Sequence, residues 1–168
     1  MREITTLIIV IIMAFFFPSC AANSSADDEQ KVISLSYHET ACSIIPTIWF
    51  DFRTDGDTCT LTNCSHRYPH EGLRAQVPAE VADSLSRIVK EEKMKQYKDF
   101  YRPIGHVLDG WQWDTHIRFA DGSSCSSSGH MRRPSGEGLK RLKEYLDSVW
   151  AQVDETKADT VNIHDRSY

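Results

Sequence analysis

This 168-residue chain has little of several features that would assign it to a functional class. Basic residues are not in excess, since 19 Lys and Arg stand against 24 Asp and Glu, for a formal net charge of −5. Nucleic acid and anionic lipid headgroups both call for a basic face, so we expect neither as a partner. No internal repeat is evident, and the G-x-S-x-G motif of a nucleophile elbow is absent.

The chain also lacks an apolar run long enough to span a bilayer. The run from Leu7 to Phe17 would rise about 16 Å as a helix, whereas a bilayer core needs about twenty residues. Arg2 precedes the run, and the small residue Ser19 and then Cys20 follow it. This order of basic, apolar and small residues is typical of a signal peptide, so we expect residues 1–19 to be removed on export.

The cysteine at the end of this run makes the segment resemble a bacterial lipoprotein signal, in which that cysteine is acylated and becomes the mature N-terminus. Ser19 fits the small-residue position, whereas Phe17 stands where Leu is usual and Pro18 is an uncommon neighbour. The resemblance implies palmitate-type chains on Cys20 that anchor the protein in membrane lipid, because two or more chains give stable anchoring. Residues 20–31 would form a polar tether, and cleavage elsewhere would instead release a soluble secreted protein.

Cysteine is scarce, with five in the chain. Whether these cysteines form disulfides depends on whether the protein is exported. Exported proteins fold where thiols are oxidised, and the cysteines that remain besides Cys20 are an even number, as two disulfides require. The disulfide candidates are Cys42, Cys59, Cys64 and Cys125.

A predicted β-hairpin sends two of these cysteines to opposite faces. Asp55-Gly56 is a dipeptide that closes tight hairpins, and it separates strands near residues 44–53 and 58–64. A turn there pairs Phe52 with Cys59, which points to the apolar side, while Cys64 points away. Their Cα atoms would lie about 16 Å apart along the strand, beyond the ~7 Å limit of a disulfide. We therefore expect each to pair with one of Cys42 and Cys125.

The segment CTLTNCSHRYPH, residues 59–70, holds two cysteines and two histidines, a density that suggests zinc. Structural zinc needs four converging ligands, and common Cys/His arrays separate their two pairs by a dozen residues or so. Here a single residue separates Cys64 from His66, and Pro69 stiffens the approach to His70. We expect no metal site and no cofactor, with His66 and His70 as weak metal candidates.

Two segments have the periodicity of amphipathic helices. The first lies within residues 76–97 and the second runs from about 138 to 153, whereas residues 154–168 lose all periodicity and are predicted to form a flexible tail. The apolar stripes consist of Val81, Leu85, Ile88 and Val89 in the first helix, and of Leu139, Leu142, Tyr145, Leu146, Val149, Trp150 and Val153 in the second.

Strict alternation in WQWDTHIRF, residues 111–119, predicts the most regular strand. Asp121-Gly122 then closes a second hairpin, whose return strand is the serine-rich SSCSSSGH at residues 123–130. Trp111 and Trp113 share one face of the first strand and could form a ligand-binding face. Packing against the helices is the commoner use of such a face.

The predicted order of elements is hairpin, helix, hairpin, helix. We therefore expect one α+β domain over residues 32–153, in which two β-hairpins build an antiparallel sheet and two amphipathic helices pack on one face. A phrase DG..W...I.F.DG.....SG....P....L..L..YL is similar to the C-terminal half of many small uncharacterised lipoproteins of Gram-negative bacteria, which implies a shared fold and transfers no catalytic residue. It is carried by Asp109, Gly110, Trp113, Ile117, Phe119, Asp121, Gly122, Ser128, Gly129, Pro134, Leu139, Leu142, Tyr145 and Leu146.

An enzymatic site cannot be assembled from these patterns. Residues 122–130 bring Ser, Cys and His together, but the members of a catalytic triad come from distant segments. Nothing in the spacing of the scattered acids singles out a glycosidase pair; these acids are Asp51, Asp99, Asp109 and Asp114.

The sequence thus predicts a membrane-anchored extracytoplasmic lipoprotein of the bacterial cell envelope, facing the periplasm or the cell surface. We expect a binding or structural role, with an envelope protein or a glycan as partner, rather than catalysis. A small extracytoplasmic hydrolase and a periplasmic metal-binding protein are the alternatives.

Overall fold

The computed structural model describes residues 30–41, 48–64, 71–103, 105 and 110–162. Its helices are α1 (Glu80–Glu91) and α2 (Gly138–Trp150), and 3₁₀ turns cover Met94–Gln96 and Glu155–Lys157. Its strands are β1 (Val32–Ala41), β2 (Ile48–Asp55), β3 (Thr58–Asn63), β4 (Glu71–Val77), β5 (Phe100–Tyr101), β6 (Trp111–Phe119), β7 (Ser124–His130) and β8 (Asp159–Asn162).

The strands form one sheet in the order β5-β7-β6-β1-β2-β3-β4-β8. Neighbouring strands are antiparallel except β5 and β7, which are parallel. The predicted α+β class with a mostly antiparallel sheet and two helices is therefore confirmed. Within the described residues the sheet nevertheless has eight strands, and the two predicted hairpins do not account for β1, β4, β5 and β8.

The strand β1 lies at the centre of the sheet, between β2 and β6. Apolar and polar residues alternate along it, and Leu35 and Tyr37 are fully buried. A register shift between Val32 and Ser34 marks a β-bulge. Residues on one face of a regular strand are separated by an even number of positions. The bulge inserts one extra residue, so Val32 and Leu35 can both be buried on the same face although they are three positions apart.

The hairpin of β2 and β3 closes one residue later than predicted. Its two turn residues are Gly56 and Asp57, so Phe52 pairs with Leu61 and not with Cys59. Gly56 has a φ of 57°, and a positive φ at the first turn residue is what a type II′ turn requires and glycine readily adopts. The corrected register moves the pairing by two residues, so it preserves strand parity and leaves Cys59 on the apolar side.

The residues that follow α2 do not form a tail up to Asn162. They form a 3₁₀ turn and then β8, which pairs with β4 at the edge of the sheet. The sequence prediction failed here because a short edge strand needs only backbone hydrogen bonds from its neighbour and no apolar pattern of its own. Residues 163–168 lie outside the described residues.

One hydrophobic cluster joins both helices to the sheet. Leu85 of α1, Leu142 of α2 and Phe52 of β2 are all 0% exposed within it. The strand residues of the cluster share one parity, and we call the side of the sheet that carries them the apolar face. Among the described residues, no helix combines the length and the apolar character needed to cross a bilayer.

Candidate functional site

Strand residues of the opposite parity form a second side of the sheet, here called the polar face. At its centre, residues of β6, β1 and β2 face one another in two rows, Asp114–His38–Trp49 and His116–Ser36–Asp51. The face extends through Ser34, Arg53, Thr60, Thr62, Arg74, Arg118, Ser126 and Ser128. Because these polar groups add little to the apolar core, the polar face is the candidate functional surface.

His38 lies between two carboxylates at the centre of the polar face. Its Nδ1 atom is 3.1 Å from Oδ2 of Asp114, and its Nε2 atom is 3.8 Å from Oδ1 of Asp51. The first distance fits a hydrogen bond, whereas the second is too long for one. Nε2 is buried and has no hydrogen-bond partner among the described residues. Asp51 therefore acts on the ring through its charge, and Asp114 through both charge and a hydrogen bond.

The half-buried Trp49 contacts both Asp51 and His38. Its Nε1 donates a hydrogen bond of 2.7 Å to Oδ2 of Asp51, and its ring centroid lies 4.3 Å from that of His38. The side chain of Asp51 is only 10% exposed, whereas that of Asp114 is 54% exposed. Asp114 is therefore the carboxylate that a ligand can reach, whereas the largely buried Asp51 stabilises the positive charge of His38.

The surroundings of His38 have opposite effects on its pKa. Burial of the ring alone would lower the pKa, but the hydrogen bond to Asp114 and the negative charges of Asp114 and Asp51 outweigh burial. The result is a pKa raised to about 9. His38 is thus protonated at neutral pH, and its Nδ1 donates to Asp114, which fixes the orientation of that carboxylate.

A second histidine of the polar face contacts a serine on the adjacent strand. Nδ1 of His116 lies 2.6 Å from Oγ of Ser126, a distance at which a histidine could act as base toward a hydroxyl. Both side chains are exposed. No carboxylate in the described parts of the chain forms a hydrogen bond with His116, so the pair lacks the orienting acid of a catalytic triad.

A groove of about 380 Å³ lies beside the His38 cluster. Phe100 forms part of its wall and is 46% exposed, although the Arg102 guanidinium lies 5.2 Å from the centroid of its ring. Asp114 belongs to both the groove and the cluster, so the groove contains a carboxylate that His38 holds in place. The residues that line it are Thr40, Phe100, Gln112, Trp113, Asp114, Ser128, Gly129 and His130.

A larger cavity of about 690 Å³ lies near the opposite edge, between β4, α1 and α2. Its floor includes Val77, Val81 and Val149, and charged residues of both signs surround it. Two of these, Lys157 and Asp154, pair with each other at 2.9 Å. Both oxygens of Asp154 are already engaged, Oδ1 by Thr156 and Oδ2 by Lys157, whereas His38 contacts Asp114 at Oδ2. We therefore place the candidate site at the smaller groove.

The structure buries one of the two β6 tryptophans considered from the sequence as a ligand-binding face, and half-buries the other. Trp113 is 2% exposed, and its Nε1 donates a 2.7 Å hydrogen bond to the carbonyl oxygen of Arg132. Trp111 is half-buried, and the Arg133 guanidinium lies 4.7 Å from its ring centroid. Both rings are on the apolar face, where they pack against the core cluster. Trp113 also lines the groove beside Asp114, so a part for it in ligand binding stays a prediction.

The described cysteines do not form the two expected disulfides. Cys59, Cys64 and Cys125 are not bonded to one another. Cys59 lies in the apolar cluster, whereas Cys64 packs against Gly72 on the polar face. Three strands separate β3, with Cys59, from β7, with Cys125. The two Cα atoms are thus about 19 Å apart, beyond the ~7 Å limit. Cys42 lies outside the described residues, so a bond between it and Cys64 stays open.

Three other predicted site residues, Cys20, His66 and His70, also lie outside the described residues. The lipid anchor and the weak metal candidates therefore stay predictions. Within the described ranges, no group of three or more His, Cys, Asp or Glu side chains is arranged to hold a metal ion.

Sequence reasoning missed His38 because it did not predict β1. The signal was present as alternation, since Leu35 and Tyr37 are separated by Ser36 and followed by His38. Asp51 and Asp114 were among the acids whose spacing carried no information, and pairing through β1 brings them together. His38 fills the space between them, where a glycosidase would need its substrate.

No known protein-family model matches the chain, and no curated protein matches its sequence.

Proposed function

We propose that the protein is a membrane-anchored extracytoplasmic lipoprotein that binds a component of the bacterial cell envelope through its polar face. The observation that carries the proposal is Asp114, a half-exposed carboxylate held by the protonated His38 beside a groove. A group that is already oriented loses little conformational freedom when it binds, so preorganisation favours affinity.

The proposal includes a finer picture of the fold. The two β-hairpins provide the framework, and both amphipathic helices cover the apolar face. The cluster that Leu85 and Leu142 share with the strands supports this arrangement. The polar face then remains accessible, and the tether of residues 20–31 leads from the lipid anchor directly into β1.

Fractionation of cells tests the anchor. We expect the wild-type protein in the membrane fraction, accessible to protease added outside the cytoplasm, and the Cys20→Ser variant in the soluble fraction, because acyl chains supply the membrane affinity. Ser25→Ala, in the tether, is the matched control and should remain with the membrane. A Cys20→Ser variant that stays membrane-bound contradicts the lipid anchor.

Affinity capture tests the binding surface. The full-length protein in detergent should retain an envelope component in a stoichiometric amount, and Asp114→Ala should lose it. Arg53→Ala changes a residue of the same face that does not line the groove, so it should retain the component. Equal retention by the two variants would show that the groove is not the binding site.

A small extracytoplasmic hydrolase is the second candidate, favoured by the 2.6 Å contact between His116 and Ser126. In that case Ser126 would be the nucleophile and His116 its base. Ser126→Ala and His116→Ala should each abolish turnover of a small ester such as p-nitrophenyl acetate. Turnover that is absent from the wild type, or unchanged in Ser126→Ala, rules out this mechanism.

A further inference from the structure

We infer that the groove beside Asp114 binds an uncharged carbohydrate, an inference that rests on the binding function proposed above. Among the residues that line the groove are Thr40, Phe100, Gln112, Asp114 and Ser128. Three properties of these residues point to this ligand class: mixed hydrogen-bonding groups, an exposed aromatic ring and an oriented carboxylate.

The uncharged polar groups of the groove can both donate and accept. Thr40 presents a hydroxyl, and Gln112 presents an amide with a donor and an acceptor end. The Ser128 hydroxyl already donates to the Asp99 carbonyl oxygen at 3.2 Å, so it is available as an acceptor. Every sugar hydroxyl also donates and accepts, so it can be satisfied by a neighbouring pair of such groups. Polar partners of this kind fix the orientation of a small ligand in a pocket.

Phe100 supplies an apolar surface at the same groove. It is one of two large hydrophobic residues that are exposed in the described part of the chain, the other being Met131. Phe100 faces Ser128 across the parallel pair of β5 and β7. Pyranose rings have a face of C–H groups, which packs on an aromatic ring while the hydroxyls reach the polar groups around it.

Asp114 discriminates between ligand charges. Its Oδ2 atom faces His38 Nδ1 at 3.1 Å, and the side chain is 54% exposed. An ionised carboxylate can accept several hydrogen bonds, so it can also bind neighbouring hydroxyls of one sugar. A phosphate or carboxylate ligand would be repelled by Asp114, and a cation would compete with the imidazolium that already compensates its charge. A neutral polyhydroxyl compound meets neither obstacle.

The test uses two fractions of the same envelope extract. One is the glycan fraction after protease digestion and lipid extraction, and the other is the detergent-solubilised protein fraction. We expect the full-length wild-type protein to retain material from the glycan fraction at about 0.5 M NaCl, because binding of an uncharged ligand is not screened by salt. Periodate, which cleaves vicinal diols, should abolish retention.

Variants locate the binding in the groove. Phe100→Ala and Asp114→Ala should each weaken glycan binding about tenfold or more, since one stacking or charge-assisted contact is worth roughly that factor. Phe100→Tyr keeps the ring and should bind like the wild type, as should Arg53→Ala. Circular dichroism of each variant confirms that it is folded, and a misfolded Phe100→Ala is replaced in the comparison by Phe100→Leu, which lacks only the aromatic face.

The outcomes separate the two proposals. Retention from the protein fraction but not from the glycan fraction overturns the carbohydrate inference and leaves the binding function in place. Retention from neither fraction overturns both. Glycan retention that is insensitive to Phe100→Ala, Phe100→Leu and Asp114→Ala shows that the sugar binds outside the groove and overturns the inference as stated.

Discussion

The His38 side chain shows how neighbours can reverse the usual effect of burial on an ionisable residue. A buried imidazole usually becomes neutral, because charge is unfavourable away from water. Here two carboxylates lie on either side of the ring, and they hold the proton that burial would remove. The protonated ring then becomes part of the folded state, so its titration must affect stability.

We predict that the protein loses stability as the pH rises through the range in which His38 titrates. The pKa of His38 is raised from 6.5 to about 9 on folding, so its contribution is complete below pH 6.5 and is lost as the pH approaches and passes 9. The loss should be on the order of 3 kcal/mol. Urea unfolding at a series of pH values measures it.

His38→Gln is the variant that isolates this effect. Its free energy of unfolding should change less between pH 6.5 and 9 than that of the wild type, whereas His116→Gln, which alters an exposed histidine of the same face, should follow the wild type. Parallel pH profiles for wild type and His38→Gln would contradict the assignment of the titration to His38.

At the scale of single elements, the apolar stripe of α2 is well defined by its sequence. Leu142 and Leu146 are 0% exposed, and Trp150 at the helix end is 9% exposed. The Nε1 of Trp150 donates a 3.0 Å hydrogen bond to Glu155, which joins the helix to the 3₁₀ turn that follows. The helix therefore depends on tertiary burial along its whole length.

Leu142→Ala should destabilise the protein by about 2–5 kcal/mol, because it leaves a cavity in a close-packed cluster. Glu144→Ala, two positions away and exposed, should change the unfolding free energy by less than about 0.5 kcal/mol. Urea denaturation measures both. A Leu142→Ala effect as small as that of Glu144→Ala would contradict the packing of α2 against the sheet.

β8 offers a different test, because its role depends on backbone pairing and not on buried side chains. Ending the chain after Ala158 removes β8 and should accelerate amide exchange in β4, whose residues Gly72 and Leu73 face Val161 and Thr160. Ending the chain after Asn162 retains β8, so amide exchange in β4 should be the same as in the full-length protein. Equal exchange in the two truncated chains would show that β8 does not protect β4.

At the scale of the whole molecule, the strand order decides which cysteines can meet. Cys59 and Cys125 lie on strands separated by three others. Leu35 of β1 lies in the same cross-strand row as Cys125. Ala41, the neighbour of Cys42 in the chain, lies six residues further along β1. At about 3.3 Å per residue, this is roughly 20 Å, too far for a disulfide. Cys59 pairs with Thr54 of β2, which lies next to the start of β1. Cys59 is therefore also far from Ala41 at the other end of β1.

We therefore predict that Cys59 and Cys125 are thiols in the native protein. Alkylation of the unfolded, unreduced protein followed by peptide mass spectrometry should find both of them modified. The same measurement after reduction counts the remaining cysteines and serves as the control. A disulfide-linked peptide that contains Cys59 or Cys125 would contradict the strand order.

The helices and the turns near Gly56 and Gly122 could be predicted because they depend on neighbours in the chain, as periodicity and turn chemistry do. The strands β4 and β8 could not, since their places depend on backbone pairing with distant segments. The register of β2 and β3 was wrong by two residues for a related reason, because two adjacent turn positions near Gly56 were chemically acceptable and only the assembled sheet selects one.

The sequence by itself determined where the two helices lie and the parity that sends Cys59 and Cys64 to opposite faces. It also determined that no helix in the described part of the chain is long and apolar enough to cross a bilayer. Only the tertiary structure decided the candidate site. Asp51, His38 and Asp114 come from three strands, and their contact follows from the pairing of β1 with β2 and β6. The physical reason is that a sheet joins residues by register across strands, and register is set by the packing of the whole apolar face.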